Sequence, residues 1–260
     1  MGNELRLIDR LEGSAFDAWP ADEVQELDGW RLRFARGVTR RANSVWPNQT
    51  TGPLTLEPRL DTVETFYATR GQPSCFQLCP ASRPGRLETL LKSRGYVRAA
   101  ETAVQVAPIQ TVLTQALLPS DASVRIFDTP EEEWLATYCQ AEAVSESEAD
   151  IRRAILQRIR RPTAYVLLST GSQTVAVGVG VLDKGWVGVF CMATLGEFRR
   201  RGAATGVLHA LAAWGARHGA REMYLQVMRE NAPAVGLYGR LGFHTAYDYH
   251  YRIAQSFTHV

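Results

Sequence analysis

Only two of the 29 basic residues in this 260-residue chain are lysines, Lys92 and Lys184. Arginine is therefore the default cation, and a pair or triplet of arginines carries less information than usual. No block of five or six like charges exists, and the net charge is only +2, so a nucleic-acid-binding stripe is not expected. Apolar runs stop far short of a membrane span, and the opening MGNELRLIDR lacks the apolar centre of a secretion signal; a cytoplasmic, non-membrane protein is expected. Cysteine is scarce as well. Of four, Cys75 and Cys79 are close together, but no second Cys or His pair completes a zinc-ligand pattern, and Cys139 and Cys191 stand alone. Buried reduced thiols and no metal are the expectation.

What is present is ordinary globular material, 45% hydrophobic and 22% charged, enough for one large or two modest domains. Helix-like spacing covers Leu5–Ala18. Trp30–Phe34 alternates as a half-buried strand, and Val38–Trp46 is expected to return beside it as a hairpin. Helices are expected over Thr62–Arg70 and Leu87–Ser93, with strands at Ser74–Leu78 and Tyr96–Val106. Pro108 and Pro119 bracket a polar stretch that reads as a linker. Beyond it, Val124–Phe127 is a strand, and Ser145 with Glu148 has capping-box spacing. Two hairpins then turn at Gly171-Ser172 and Asp183-Lys184-Gly185, leading into the strand Trp186–Thr194. Ala203–His218 follows as a helix burying Ala204, Val207, Leu208, Leu211 and Trp214. A strand over Glu222–Met228, a helix over Ala232–Leu241 and a strand over Phe243–Ile253 complete the chain.

The two halves end alike. Leu90-Leu91-Lys92-Ser93-Arg94-Gly95-Tyr96 and Leu237-Tyr238-Gly239-Arg240-Leu241-Gly242-Phe243 are both helix end, glycine, aromatic, strand. This suggests one fold used twice, with residues 1–118 and 119–260 as the domains. Aligning Gly95 with Gly242 puts Leu91 where Tyr238 stands.

Chemistry concentrates in the second half. Arg199-Arg200-Arg201-Gly202-Ala203-Ala204 fits Arg/Gln-x-x-Gly-x-Gly/Ala, as does Arg10-Leu11-Glu12-Gly13-Ser14-Ala15. Only the former has a strand before it and a long helix after it. There the backbone N–H groups from Arg200 to Thr205 can converge as the orphan donors of a helix start, suited to a pyrophosphate. Asn231, Tyr238 and Gly242-Phe243 follow in order.

On these residues, Trp186–Ile253 resembles the core of the GNAT (Gcn5-related N-acetyltransferase) superfamily. The resemblance implies an α/β fold of two tandem GNAT-like domains, each a mixed, mostly antiparallel sheet flanked by helices. It also implies acetyl-CoA as co-substrate, bound by Met192, Ala193, Thr194, Arg199, Arg200, Arg201, Gly202, Ala203, Ala204, Thr205 and Asn231. Tyr238 would be the general acid, and the acceptor a small-molecule or protein amine. The opening Asp28–Arg33 with Thr39–Pro47 resembles a group of tandem GNAT proteins whose first half is degenerate. Arg40, Arg41, Asn43 and Trp46 are then expected on one strand, lining a groove that helps hold the acceptor. Many family members carry a glutamate where this chain has Gln226. Glu146, Glu148, Asp150, Asp248 and His250 are possible water-mediated bases, and none is assigned. Alternatives are a non-catalytic acyl-CoA sensor and a mycothiol-synthase-like acyltransferase; the chain could be a monomer or a homodimer.

Overall fold

The computed structural model describes residues 2–255. In chain order the elements are α1 (Gly2–Ala18), β1 (Glu23–Leu27), β2 (Trp30–Phe34), β3 (Val45–Trp46), α2 (Leu56–Ala68), β4 (Cys75–Leu78), α3 (Leu87–Ser93) and β5 (Val97–Pro108). There follow α4 (Ile109–Gln115), β6 (Ala122–Phe127), α5 (Glu132–Glu142), α6 (Glu146–Gln157), β7 (Thr163–Thr170), β8 (Gln173–Asp183) and β9 (Trp186–Thr194). The chain closes with α7 (Ala203–Arg217), β10 (Glu222–Met228), α8 (Ala232–Arg240) and β11 (His244–Ile253). The fold is mixed α/β. No helix among the described residues is long and apolar enough to cross a membrane.

The chain divides into two compact units. The first takes residues up to Gly13, Trp19–Thr102 and residues from Tyr247 on; the second takes Ser14–Ala18 and Ala103–Ala246.

In the first unit the strands run β1-β2-β3-β4-β11. Trp30, Leu32, Leu60, Val63, Tyr67, Phe76 and Leu91 form the core between this sheet and its helices. The expected hairpin keeps only the end of its return strand: Val45–Trp46 (β3) pairs antiparallel with Leu32 and Arg31 of β2, and the tight turn lies at the other edge of β2. Asp28 (φ 47°) and Gly29 (φ 87°) make a two-residue turn that pairs β2 with β1, because two left-handed residues match the twist of the flanking strands. Val38–Ser44 is not a strand, so Arg40, Arg41 and Asn43 do not share a strand face with Trp46. Instead Asn43, 7% exposed, organises the loop from within. Its Oδ1 accepts from the N–H groups of Ala35 (2.8 Å) and Gly37 (3.0 Å), and its Nδ2 donates to the carbonyls of Val38 and Thr39 (both 2.8 Å).

In the second unit the order is β5-β10-β9-β8-β7-β6. β6 to β9 pair antiparallel, whereas β10 runs parallel to β9. Helix α7 lays Val207, Leu208, Leu211 and Trp214 into the core. Its close approach depends on Gly178 of β8, where a Cβ would lie 2.6 Å from the Val207 side chain and 2.7 Å from the Met192 sulfur. Residues 109–115, expected in a linker, fold as α4 with Ile109 and Val112 buried, since an apolar pair three apart has a core to join. Only Cys75 is fully buried; Cys79, Cys139 and Cys191 are half-buried, and all four are free thiols. Burial pushes the Cys75 and Cys79 thiols up to about 12.

Candidate active site

Strand β9 is paired unevenly. Its parallel ladder with β10 runs from Trp186↔Glu222 to Val189↔Leu225 and stops there, although β9 continues to Thr194 and β10 to Met228. The two strands therefore part beyond Val189. On the other edge the antiparallel register with β8 jumps from Val179↔Phe190 to Val177↔Ala193. Cys191 and Met192 together oppose Gly178, which is a β-bulge, and Cys191 takes the left-handed φ of 50° that such an insertion needs. Parting and bulge leave the β9 backbone around Met192 facing an open cleft rather than a neighbouring strand.

At the end of β9 the chain makes a short 3₁₀ turn, Gly196–Phe198, then a tight bend into α7. Arg200 has φ 61° and Gly202 φ 83°. Glycine suits the second position because the left-handed conformation costs it nothing. The first bond along the helix is Gly206 N–H to the Gly202 carbonyl at 2.9 Å, so the N–H groups of Ala203, Ala204 and Thr205 have no intrahelical acceptor. The helix dipole adds positive potential at the same point. The first turn is thus built to receive an anion.

Helix α8 supplies the opposite wall. Asn231 caps it, its Oδ1 accepting from the Ala234 N–H at 3.2 Å, which leaves the side-chain amide donors to face outward. Seven residues on, Tyr238 is 8% exposed. Gly242 (φ 90°) closes the helix end, with Phe243 N–H bonding the Tyr238 carbonyl at 3.0 Å and Gly242 N–H the Gly239 carbonyl at 3.2 Å. The Tyr238 ring packs edge-on against Phe243, 5.9 Å between centroids. The phenol is held in place by the cap itself.

A cleft of about 790 Å³ joins these parts. Of the residues expected at the site, Met192, Ala193, Thr194, Arg199, Arg200, Gly202, Ala203, Ala204, Thr205, Asn231 and Tyr238 line it. Ala204 is half-buried at this surface rather than in the core. Arg201 does not line the cleft; its guanidinium lies over the Phe198 ring at 5.5 Å. Arg199 Nε donates to the Thr194 carbonyl at 3.2 Å, tying the bend to the strand end.

The cleft also contains residues that sequence reasoning passes over, among them Glu142, Leu237 and Arg240. Leu237 and Arg240 are open to detection, being close to Tyr238 on the helix surface; Glu142 arrives from α5, and no local signal marks it. Burial pushes the Tyr238 phenol up to about 12, and Glu142 adds to the shift. None of the carboxylates singled out from the sequence lines the cleft. Glu146, Glu148 and Asp150 are exposed on α6, where Glu148 N–H is capped by the Ser145 hydroxyl as its spacing predicts. His250 contacts Glu88 at 3.0 Å and, with Asp248, lines a separate cavity of the first unit. The arrangement can hold a phosphate at the α7 start, an extended amide chain along β9, and a buried proton donor beside it.

Comparison with known proteins places this geometry. The family model described as "Probable histone acetyltransferase Rv0428c C-terminal" matches residues 6–252. The chain is 32% identical over 254 residues to the Bacillus subtilis protein named "Uncharacterized N-acetyltransferase YobR", covering 96% of this chain and 99% of that one. Among solved structures, a GCN5-related N-acetyltransferase from Kribbella flavida superposes with a TM-score of 0.73 at 16% identity, over 95% of each chain. A tandem GNAT protein from the clavulanic acid biosynthesis pathway gives 0.63 at 12% identity, over 81% of this chain and 74% of its own. The chain belongs to the Rv0428c C-terminal acetyltransferase family, and its fold is that of GCN5-related N-acetyltransferases.

Proposed function

We propose that the cleft binds acetyl-coenzyme A and that the protein transfers the acetyl group to an amine by direct attack within a ternary complex. One observation carries this reading: a strand edge opened by a bulge, an anion-receiving helix start and a buried phenol converge on a single cleft. The N–H groups of Ala203, Ala204 and Thr205, with Arg199 and Arg200, take the pyrophosphate. The β9 backbone from Met192 to Thr194 holds the pantetheine amides, and an N–H near Met192 stabilises the oxyanion as the amine adds. Asn231 holds the cofactor arm through its amide donors, which the cap leaves available. Tyr238 donates its proton to the departing thiolate.

The acceptor is the amine of a small molecule or a protein; the family's description as probable histone acetyltransferase supports including protein lysines. We further read the chain as two tandem GNAT-like repeats, 1–118 and 119–260, the first degenerate. Gly95 N–H bonds the Lys92 carbonyl at 3.1 Å and Tyr96 N–H the Leu91 carbonyl at 3.0 Å, the same pair of bonds that closes α8. Leu91 occupies the position of Tyr238, so this copy has no proton donor.

Calorimetric titration with acetyl-CoA tests binding, and CoA release over a panel of amino acids, polyamines, aminoglycosides and lysine peptides tests transfer. Tyr238→Phe is expected to lower turnover about 100-fold or more while acetyl-CoA affinity is kept. Binding without acceptor-dependent CoA release from any amine would instead identify an acyl-CoA sensor.

A further inference from the structure

Glu142 is out of place as a structural residue. It is the last residue of α5 and stands at the negative end of that helix dipole, where a carboxylate is unfavourable and a cation is preferred. Ala143 follows in a left-handed cap (φ 50°), and Val144 N–H returns to the Cys139 carbonyl at 2.9 Å, so the helix end is fixed. Among the described residues Glu142 has no hydrogen-bond or ion-pair partner. It is also the single carboxylate on a cleft whose other charged lining residues are Arg199, Arg200 and Arg240. Arg199 and Arg200 stand at the α7 start, where the phosphates would lie. Glu142 lines the same cleft as Tyr238, and its charge acts on that phenol, so it belongs to the reacting end.

We propose that Glu142 is the acceptor subsite of this cleft, holding the incoming amine as an ammonium ion beside Tyr238 and selecting acceptors that carry a positive charge. The proposal rests on the acetyl-CoA reading above. It explains how a chain with glutamine at position 226 still draws in an amine: an exposed carboxylate, solvated and backed by a helix C-terminus, attracts a cation. The bound ammonium releases a proton to solvent before its nitrogen attacks. The nitrogen adds to the thioester carbonyl, forming the C–N bond and an oxyanion whose collapse breaks the C–S bond. The thiolate takes the Tyr238 proton, and the proton shed by the new amide nitrogen restores the phenol. The donor class is unchanged; the acceptor class narrows to alkyl amines, with weakly basic neutral amines disfavoured.

Two coenzyme A thioethers of nearly equal size test this without knowing the natural acceptor: S-(2-aminoethyl)-CoA, which carries an ammonium near the acceptor position, and S-propyl-CoA, which does not. Titrated into the full chain at low salt, the ammonium probe should bind about fivefold more tightly, the yield of an ion pair near a surface. Glu142→Gln should erase that preference while leaving S-propyl-CoA affinity unchanged, which also reports that the variant is folded, and Glu142→Asp should restore part of it. Equal binding of both probes to the unaltered protein, or a preference that survives Glu142→Gln, overturns the proposal. Failure of the ammonium probe alone likewise overturns the proposal, whereas failure of both probes to bind overturns the acetyl-CoA reading beneath it.

Discussion

Burial holds the Tyr238 phenol near 12, above its ordinary 10, and Glu142 pushes in the same direction. The folded state therefore keeps the proton through the interval in which an exposed tyrosine would lose it. If Tyr238 is the acid, the kcat–pH profile should show no fall from phenol ionisation between about pH 8 and 10. Glu12 presents the reverse case for stability. It is buried, with Tyr247 Oη donating to its Oε1 and Gln77 Nε2 donating to its Oε2, each at 2.7 Å. Burial raises its pKa from 4.5 despite those bonds and the pull of Arg33. The folded state then binds this proton more tightly than the unfolded chain, so the stability it contributes is full below about pH 4.5 and is lost as pH rises through the raised value. Glu12→Gln should flatten that dependence, seen as a smaller fall in melting temperature between pH 4.5 and 7 than in the parent. Two asparagines show what a sequence displays at this scale. Asn231 is legible because its neighbours form an ordered motif. Asn43 looks equally polar, yet all of its side-chain bonds are to backbone within eight residues, and the side chain is buried. Asn43→Ala should cost on the order of 2–4 kcal/mol in urea unfolding by leaving loop amides unmet.

Elements are legible where a pattern and its punctuation agree. The hairpin turns at Gly171 and Lys184-Gly185, the Ser145 cap and the helix after Gly202 all follow from local chemistry, and the structure has each of them. β1 escapes a reading of the residues because four of its five are exposed: a strand at a sheet edge needs no apolar face, only a partner. α4 escapes it because seven residues are too few to establish a period. The shared helix cap allows a graded test. At Gly95 (φ 79°) a Cβ would project into open space, whereas at Gly242 (φ 90°) it would fall 2.3 Å from the Thr111 methyl carbon. Gly95→Ala should cost about 1 kcal/mol, from backbone strain alone. Gly242→Ala should cost roughly 2–4 kcal/mol, since overpacking adds to the strain. Thermal melts of both variants check the order, and the reverse order would contradict the cap geometry. The bulge and the parting of β9 from β10 lie beyond reading in the residues alone. Nothing in Val-Phe-Cys-Met-Ala-Thr marks an inserted residue, and that geometry turns a strand into the floor of a cleft.

At the scale of the whole molecule, the sequence repeat and the compact units do not divide the chain in the same way. The first unit includes Tyr247–Ile253 from the last strand, which pairs with β4 from His250↔Leu78 to Ile253↔Cys75. A fragment of residues 1–118 therefore lacks the partner of β4. It should populate aggregates rather than a folded monomer on size-exclusion chromatography, because an apolar strand with an open edge seeks another chain.

The gap between β9 and β10 has a related consequence. A sheet that separates from within acquires two edges in its own interior, and each is a row of amides without partners from the facing strand. Under the proposed function, the cofactor arm serves as a temporary extra strand, completing a ladder that the polypeptide leaves unfinished. Folding and ligand binding are then linked, and coenzyme A at 100 times its dissociation constant should add about 2.7 kcal/mol of stability. The loaded protein should also be slower than the empty one to join amide-rich peptides and to precipitate on warming. The cleft is a missing rung of the sheet, and whatever fills it becomes part of the fold.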